Sequence, residues 1–395
     1  MVRTIDECFF QIQNGANIKQ GDVAGGFPIT RIETTTNDKF NRDRMGYAGI
    51  TDISKYEAYV LEDGDLLMSH INSVQYLGRT VLYIKQPDET IIHGMNLLRL
   101  KAKRDIINPA YARYCFYGHP FRSQISNITK KSVNQASFAV KDLKQIKIDI
   151  PSVPEQKEVV EVLDKIQQLI ELRTDELLKL DNLIKARFVE MFGNPVMNDK
   201  GWDTDSCNNL MSKIGSGATP KGGKESYCAE GISLIRSMNV YNNRFEYKDL
   251  AYITDEQAGQ LDNVTIEKDD VLLNITGASV ARCCVVPEDL LPARVNQHVS
   301  IIRCKERILP DFVCCMFTED NYQSLLWNIA TAGGSTREAL TKQQIEELML
   351  IVPPIDLQKR FMEFVHRVDK SKVVVQKALD EAQLLFDSLM QKYFG

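Results

Sequence analysis

Two stretches of the chain, residues 151–193 and 353–395, carry apolar residues at steps that alternate between four and three positions. A mean spacing of 3.5 residues is typical of a coiled-coil seam, where two helices bury one face against each other. We therefore predict one long helix in each stretch and expect the two seams to pair. The predicted seam residues are Leu163, Ile166, Ile170, Leu177, Leu180 and Ile184 in the first helix, and Val365, Val368, Val375, Leu379, Phe386 and Leu389 in the second.

The two stretches are also copies of one another, because they align without a gap at an offset of 202 residues. Each starts with a proline that is followed five positions later by Gln-Lys, and each ends in Phe-Gly. Two unrelated amphipathic helices, each packed on its own domain, would show apolar stripes but would have no reason to share this register. Either relative direction of the helices is possible from the sequence, and an antiparallel pair would give pseudo-twofold symmetry.

The sequence before each long helix forms a second, fainter repeat, in which residues 60–83 resemble residues 265–288. Both parts contain many short apolar runs separated by Gly, Pro and Asn, a pattern typical of short strands joined by turns. We predict a mixed α/β fold in which two domains of short strands and helices are each followed by a long helix. The predicted segments are 1–150, 151–193, 194–352 and 353–395.

Composition places the 395-residue chain among globular proteins, with 48 Lys and Arg against 53 Asp and Glu and a net charge of −5. These values exclude a disordered or disulfide-stapled chain. The first 20 residues contain no apolar run flanked by a cleavage site, and no apolar run is long enough to span a membrane, so we expect a cytoplasmic protein. Nine cysteines in irregular places, without a CxxC pair, indicate reduced thiols in the core.

Motifs for catalysis are incomplete wherever they begin. The segment 217–224 lacks one glycine and the Ser/Thr of a phosphate-binding loop, because Ala218 and Glu225 stand at those places. Asn108-Pro109-Ala110-Tyr111 lacks the second proline of the amino-methyltransferase motif, and the five histidines show no paired ligand spacing. The sequence therefore predicts neither a catalytic centre nor a metal site.

The segments on either side of each long helix carry a resemblance to a known family. The sequence IDIPSVPEQKEVVEVLDKI leads into the first helix, ARFVEMFGNP ends it, and LIVPPIDLQKRFMEF opens the second helix. This order of domain, helix, domain and helix resembles the specificity subunit of type I restriction-modification enzymes over the whole chain. The second copy departs from the pattern at Leu357, which replaces a Glu, and the first domain departs from it at residues 15–19.

The resemblance implies a non-catalytic subunit that reads double-stranded DNA. Members of the family hold two target recognition domains on an antiparallel helix pair, and each domain reads one half of a bipartite, asymmetric site. Two modification subunits carry S-adenosylmethionine and methylate adenine, while two restriction subunits use ATP and magnesium. The chain itself is therefore expected to hold no cofactor and no metal.

Base contacts require donors and acceptors that reach into a groove of the DNA, and polar turns in the repeated scaffold are where we expect them. Two basic clusters, residues 130–147 and 294–307, could add phosphate contacts. The predicted DNA-binding residues are Arg31, Thr34, Thr35, Ser69, Asn72, Lys130, Lys131 and Asn134 in the first domain, and Arg236, Ser237, Asn239, Asn274, Thr276, Ser335, Thr336 and Arg337 in the second.

Three alternatives remain open at the level of sequence. For any single turn residue, a hydrogen bond to its own backbone competes with a role in DNA binding. A coiled-coil scaffold with two protein-binding domains would show the same helices but no salt-dependent affinity for DNA. An enzyme acting alone would need an active site that the motifs do not supply.

Overall fold

The computed structural model of the chain describes residues 1–21, 25–133, 135–220, 222–332 and 338–395. The chain forms two compact units, one containing residues 1–174 and 377–395 and the other containing residues 175–376. Each unit therefore combines a globular domain with part of both long helices. The predicted architecture of mixed strands and helices is confirmed.

The first unit is built on an antiparallel four-stranded sheet. Its strands lie in the order Phe9–Asn14, Leu97–Ala102, Leu66–Ser69 and Thr80–Leu82. Two smaller sheets consist of Val2–Thr4 with Lys147–Asp149, and of Ile71–Asn72, Ala136–Ser137 and Lys130–Lys131. The α-helices of its globular part are Ile5–Cys8, Pro109–Tyr117, His119–Ile128 and Val140–Lys144, and its 3-10 helices are Ile32–Asp38, Arg42–Arg44, Glu57–Tyr59 and Val74–Tyr76.

The second unit repeats this plan. Its four-stranded sheet has the order Met211–Ser216, Val299–Cys304, Val271–Asn274 and Cys283–Val285. Smaller sheets consist of Thr204–Ser206 with Met349–Ile351, of Ala251–Ile253, Ile232–Ile235 and Ala293–Val295, and of Val240–Tyr241 with Arg244–Phe245. The α-helices of its globular part are Cys207–Leu210, Asp255–Gly259, Pro310–Phe317, Asp320–Thr331 and Lys342–Glu346. Its 3-10 helices are Gly223–Ser226, Ser237–Asn239, Asp262–Val264, Gly277–Ser279 and Glu288–Leu290.

The two long helices are Val153–Phe192 and Ile355–Phe394, each of 40 residues. At a rise of 1.5 Å per residue, each is about 60 Å long. The first begins where both the backbone N–H and the hydroxyl of Ser152 donate to the Glu155 carboxylate, at 2.9 and 2.6 Å. It ends before Gly193, whose φ of 76° is the left-handed conformation that commonly follows a helix. The long helices predicted from the spacing are therefore present, with ends two residues or fewer from the predicted limits.

All twelve predicted seam residues are buried or half-buried. In the first unit, Leu163 near the start of the first long helix shares a core with Phe394 at the end of the second. In the second unit the ring of Phe192, at the end of the first helix, lies 5.4 Å from that of Phe361 at the start of the second. In each unit the start of one helix thus lies beside the end of the other, so the helices are antiparallel there.

One polar residue interrupts the apolar seam of the second helix and is paired. Lys372 stands at a seam position, and its Nζ lies 2.7 Å from Oδ1 of Asp181 on the first helix. A lysine in a partly buried seam lowers stability unless an opposite charge compensates it, and it favours one register of the two helices. The ion pair therefore specifies how the helices align within the second unit.

A buried glutamine joins each globular domain to the first turn of the long helix that follows it. The Oε1 of Gln156 accepts from the N–H of Asn108 at 2.8 Å, and its Nε2 donates to the carbonyls of Ile106 and Pro151 at 3.0 and 2.9 Å. Both Gln156 and its counterpart in the second copy, Gln358, are fully buried.

The second copy repeats these three hydrogen bonds. The Oε1 of Gln358 accepts from the N–H of Leu309 at 2.9 Å, and its Nε2 donates to the carbonyls of Arg307 and Pro353 at 3.2 and 2.8 Å. A buried amide satisfies three backbone groups in each domain, which explains why Pro and Gln recur five positions apart in both copies.

Replacing Gln156 by Ala leaves the Asn108 N–H and two carbonyls without their partner, so we expect a loss of about 2–3 kcal/mol in the free energy of unfolding. Urea unfolding measures this loss, and hydrogen exchange locates it, because the Asn108 amide should exchange faster. Gln168→Ala is the matched control, since Gln168 is exposed on the same helix. Equal stabilities of the two variants would contradict the role given to Gln156.

Candidate nucleic-acid interface

A small three-stranded sheet in the first domain brings together residues that are far apart in sequence. Asn72 pairs with Ala136, which pairs in turn with Lys131 on the outer strand. Lys130 and Lys131 are exposed, and neither forms an ion pair with the described part of the chain. Three predicted DNA-binding residues, Asn72, Lys130 and Lys131, therefore share one short sheet with two free positive charges.

Exposed apolar and aromatic residues lie in the strands of this sheet or close to them in the sequence, and sequence reasoning did not single them out. Ile71 and Val74 are 37% and 49% exposed, and Val133 is fully exposed. The guanidinium carbon of Arg79 lies 4.7 Å from the centre of the Tyr76 ring. Such residues carry no sequence signal of their own, because their exposure depends on a sheet whose strands come from two distant parts of the chain.

Arg31 and Arg236 occupy equivalent positions, each immediately before a 3-10 helix. The Arg31 N–H donates to Oγ1 of Thr34 at 2.8 Å, and the Arg236 N–H donates to Oδ1 of Asn239 at 3.1 Å. Thr34 and Asn239 are fully buried. These two residues therefore shape the turns that present the arginines, rather than facing solvent themselves.

The two arginine side chains are half-buried and already have partners within the protein. Nε of Arg31 donates to Oε1 of Gln20 at 2.7 Å. Arg236 donates to the carbonyl of Asp249, and its guanidinium carbon lies 5.5 Å from the centre of the Tyr227 ring. These contacts orient the two guanidinium groups. Each guanidinium uses only some of its N–H donors in them, so other donors remain for a ligand.

Two further predicted residues end matching strands and are buried. Ser69 accepts a 3.4 Å hydrogen bond from Nδ2 of Asn72. Asn274 donates from Nδ2 to the carbonyls of Ser237 and Val240, at 2.9 and 3.3 Å, while its Oδ1 is buried without a partner. Asn274 thereby ties the end of its strand to the turn that carries Arg236.

The remaining described residues lie in turns. The hydroxyl of Thr35 donates to the carbonyl of Ile32 at 2.9 Å, a local bond that fixes the turn. Ser237 is half-buried within the 3-10 helix that follows Arg236. The predicted residues Asn134, Ser335, Thr336 and Arg337 lie outside the described residues.

A series of hydrogen-bonded polar side chains in the second domain includes Thr276. Oγ1 of Thr276 lies 2.6 Å from Nδ1 of His298, and Nε2 of His298 lies 3.0 Å from Nε2 of Gln297. Oε1 of Gln297 accepts from the hydroxyl of Thr219. The Gly-Ala-Thr-Pro segment that resembled a phosphate-binding loop is therefore joined through Thr219 to the predicted base-contacting turn.

The second basic cluster predicted from sequence is neutralised by acids from elsewhere in the second unit. Arg294 pairs with Asp262 at 2.8 Å, Arg303 with Asp270 at 2.8 Å, and Arg307 with Asp205 at 2.6 Å. These three arginines brace the domain, so the interpretation of residues 294–307 as a phosphate-binding cluster is not supported by their geometry.

Burial also removes charge and reactivity from other titratable groups. Burial lowers the pKa of His70 to about 4 and that of His93 to about 3, so both rings are neutral at neutral pH. Every cysteine except Cys228 and Cys304 is buried, and burial raises the pKa of Cys8 to about 11. In the described ranges, no group of three His, Cys, Asp or Glu side chains is placed to hold a metal ion.

Within the residues that the structure describes, no helix is both long and apolar enough to cross a bilayer.

Both domains of the chain match the same family of known proteins. The family model described as the type I restriction modification DNA specificity domain matches twice, over residues 1–182 and 200–382. The protein assigned as the MjaX type I restriction enzyme specificity subunit of Methanocaldococcus jannaschii is 26% identical over 406 residues, which cover 95% of this chain and 90% of that protein. The type I restriction enzyme EcoKI specificity subunit of Escherichia coli K12 is 24% identical over 227 residues, covering 54% of this chain and 48% of that one.

Solved structures share the fold. An S subunit of a type I restriction-modification system from M. genitalium aligns with 100% of this chain and 96% of its own, at a TM-score of 0.59 and 14% identity. A chain from a study of complex assembly and conformational transition of the type I system aligns with 100% of this chain and 97% of its own, at a TM-score of 0.57 and 15% identity.

The comparisons agree with the family that the sequence resembles, because two specificity domains match in tandem. The structure agrees as well, since it has a repeated scaffold with a long helix after each domain. The chain belongs to the specificity subunits of type I restriction-modification systems, the non-catalytic subunits of those enzymes that recognise DNA.

Proposed function

We propose that each of the two domains reads one half of a bipartite, asymmetric site in double-stranded DNA. The observation that carries this proposal is that the four-stranded sheets of the two units have the same strand order, while matching strands end in different residues, Ser69 and Asn274. The first domain presents Lys130 and Lys131 on a small sheet, whereas the second presents Thr276, whose hydroxyl lies 2.6 Å from the His298 ring. One scaffold with two polar surfaces supports two readers of different sequences.

The exposed and half-buried members of the predicted set are the proposed contacts with DNA. In the first domain, Lys130 and Lys131 can donate to guanine or phosphate, and Asn72 has the amide that suits adenine. In the second domain, Arg236 can donate to guanine or phosphate, and the hydroxyl of Thr276 can donate to or accept from a base. The buried residues Thr34, Ser69, Asn239 and Asn274 act in this proposal by holding the turns in place.

Apolar residues on the long helices support docking of two copies of one partner. Leu172 and its repeat equivalent Val374 are 64% and 69% exposed, and Leu183 and its equivalent Leu385 are 47% and 50% exposed. The first unit thus presents Leu172 and Leu385, and the second presents Leu183 and Val374. Exposed apolar side chains at equivalent places favour one partner on each unit.

Two modification subunits are the proposed occupants of these helix surfaces. They would bring S-adenosylmethionine to the adenines of the two half-sites, and two restriction subunits, with ATP and magnesium, would join them for cleavage. The chain supplies none of this chemistry in the proposal; it supplies the DNA sequence and the distance between the two readings. We place the assembly in the cytoplasm.

Replacing Lys130 and Lys131 together by Gln should weaken binding to DNA that carries only the first half-site by about tenfold or more, because two charged contacts are lost. Arg236→Ala should instead weaken binding to DNA that carries only the second half-site. Fluorescence anisotropy at fixed salt measures both, on duplexes with one half-site scrambled. Lys359→Gln, an exposed lysine at the start of the second long helix, is the control. Equal effects of each variant on both duplexes would contradict separate reading.

Replacing Leu172 and Leu385 by Glu should remove one modification subunit from the complex, because a carboxylate in an apolar interface is costly to desolvate. Native mass spectrometry should then change from two modification subunits per chain to one. Leu183→Glu with Val374→Glu should give the same result through the second unit. Val189→Glu is the control, since Val189 is 43% exposed but its repeat position is the polar Gln391. Retention of both copies in each double variant would overturn this docking site.

A further inference from the structure

The second domain has a groove of about 410 Å³ beside the turn Gly277–Ser279, close in sequence to the proposed contact Thr276. Its polar and aromatic lining consists of Asn242, Arg282, Gln323, Ser324, Trp327 and Asn328. A guanidinium, three amides, a hydroxyl and an indole are the groups that proteins use to bind nucleic acid, and none of the described residues that line the groove has a carboxylate.

Arg282 brings an uncompensated positive charge to this groove. Its guanidinium carbon lies 4.7 Å from the centre of the Tyr241 ring, and that of Arg244 lies 5.0 Å from the same ring. Arg244 has Glu246 at 3.7 Å, whereas no carboxylate in the described ranges lies within ion-pair distance of Arg282. Two cations that share one ring repel each other, so an anion at the groove would be stabilised.

Trp327 exposes 40% of its surface, although it stands on a helix that is otherwise anchored in the core. Its neighbours Tyr322, Leu326 and Ala330 are buried in that core. The indole is therefore held on a helix that is packed in the core, with part of its surface available to a ligand. An exposed indole beside an unpaired arginine suits a ligand with both a flat or apolar part and a negative charge.

The first domain lacks this arrangement at the equivalent place. Arg79, which follows Gly78 as Arg282 follows the left-handed Ala281, has Asp38 at 3.3 Å. The helix position that matches Trp327 is Ser126, counted from the stacked pairs Phe116–Phe121 and Phe317–Tyr322. Among the residues that the structure describes, the combination of an arginine without an acidic partner and an exposed indole is thus found in the second domain and not at the equivalent place in the first.

We infer that this groove binds the sugar-phosphate backbone of duplex DNA at the edge of the second half-site. Arg282 takes a phosphate, the indole of Trp327 packs on the adjoining sugar, and Asn242 and Asn328 donate to neighbouring oxygens. This inference rests on the proposed function and extends it. It makes the second domain bind DNA through an additional sequence-independent contact that the first domain does not have.

The test uses the full-length chain and a fluorescent duplex of mixed sequence, titrated over a range of salt concentrations. Arg282→Gln should reduce the slope of log affinity against log salt by about one, because one phosphate contact releases roughly one counterion. Affinity at low salt should fall about tenfold. Arg360→Gln is the charge-matched control, since it removes an exposed arginine at the start of the second long helix. Thermal unfolding of both variants checks that they are folded.

The tryptophan gives a second readout that does not depend on charge. The chain has two tryptophans, and Trp202 donates from its indole N–H to the Phe192 carbonyl at 2.9 Å, in a different part of the unit. In a Trp202→Phe variant, DNA should quench or shift the emission of the remaining Trp327. In a Trp327→Phe variant, DNA should leave the emission of Trp202 unchanged.

The outcomes separate this inference from the proposal on which it rests. A reduced slope for Arg282→Gln, together with a change in Trp327 emission, supports the groove. DNA binding in which Arg282→Gln behaves like Arg360→Gln, with unchanged Trp327 emission, would overturn the groove and leave the reading of two half-sites intact. A wild-type chain with no salt-dependent affinity for DNA would overturn both.

Discussion

The buried amides of Gln156 and Gln358 fix where each long helix starts against the domain that precedes it. Each amide holds three backbone groups of a loop and of the helix start, with hydrogen bonds of 2.8 to 3.2 Å. Phe192 and Phe394 close the other end, because each packs in the core of the opposite unit from the one in which its helix begins. The position of each domain against the start of the helix that follows it is thus set by buried, directional contacts.

The two domains share a scaffold and differ in the polar residues that it carries. A four-stranded sheet of the same strand order lies in each domain, while matching strands end in different polar residues, Ser69 and Asn274. Because turns such as those before Thr34 and Asn239 are held by buried side chains, the residues beside them can change without loss of the scaffold. Arg31 and Arg236 each precede a 3-10 helix, and in both the backbone N–H donates to the side chain three residues later. Their side chains contact different neighbours, so one fold can present different groups for recognition.

Much of the fold could be predicted from the sequence, because the helices and the repeated domains leave periodic patterns of residues in it. The 3.5-residue seam and the 202-residue repeat predicted the two long helices, and the repeated Gln156 and Gln358 proved to be buried. The surface could be predicted only in part. A polar turn residue can face solvent or bond its own backbone, and Thr34, Ser69, Asn239 and Asn274 are buried. Arg294 and Arg303 pair with acids that lie about 30 residues before them in the sequence. The groove brings together Arg282 and Trp327, which are 45 residues apart in the sequence, so it exists only in the folded domain.

The most direct test of the account is to map N6-methyladenine across the genome by single-molecule sequencing, with this chain and the host's modification subunit expressed together and each alone. The account predicts a bipartite motif with two different halves and an unread spacer of fixed length, present only when both chains are expressed. A stable complex that produces a single continuous motif, or a motif that does not depend on this chain, would contradict the claim that the two domains read two separate half-sites.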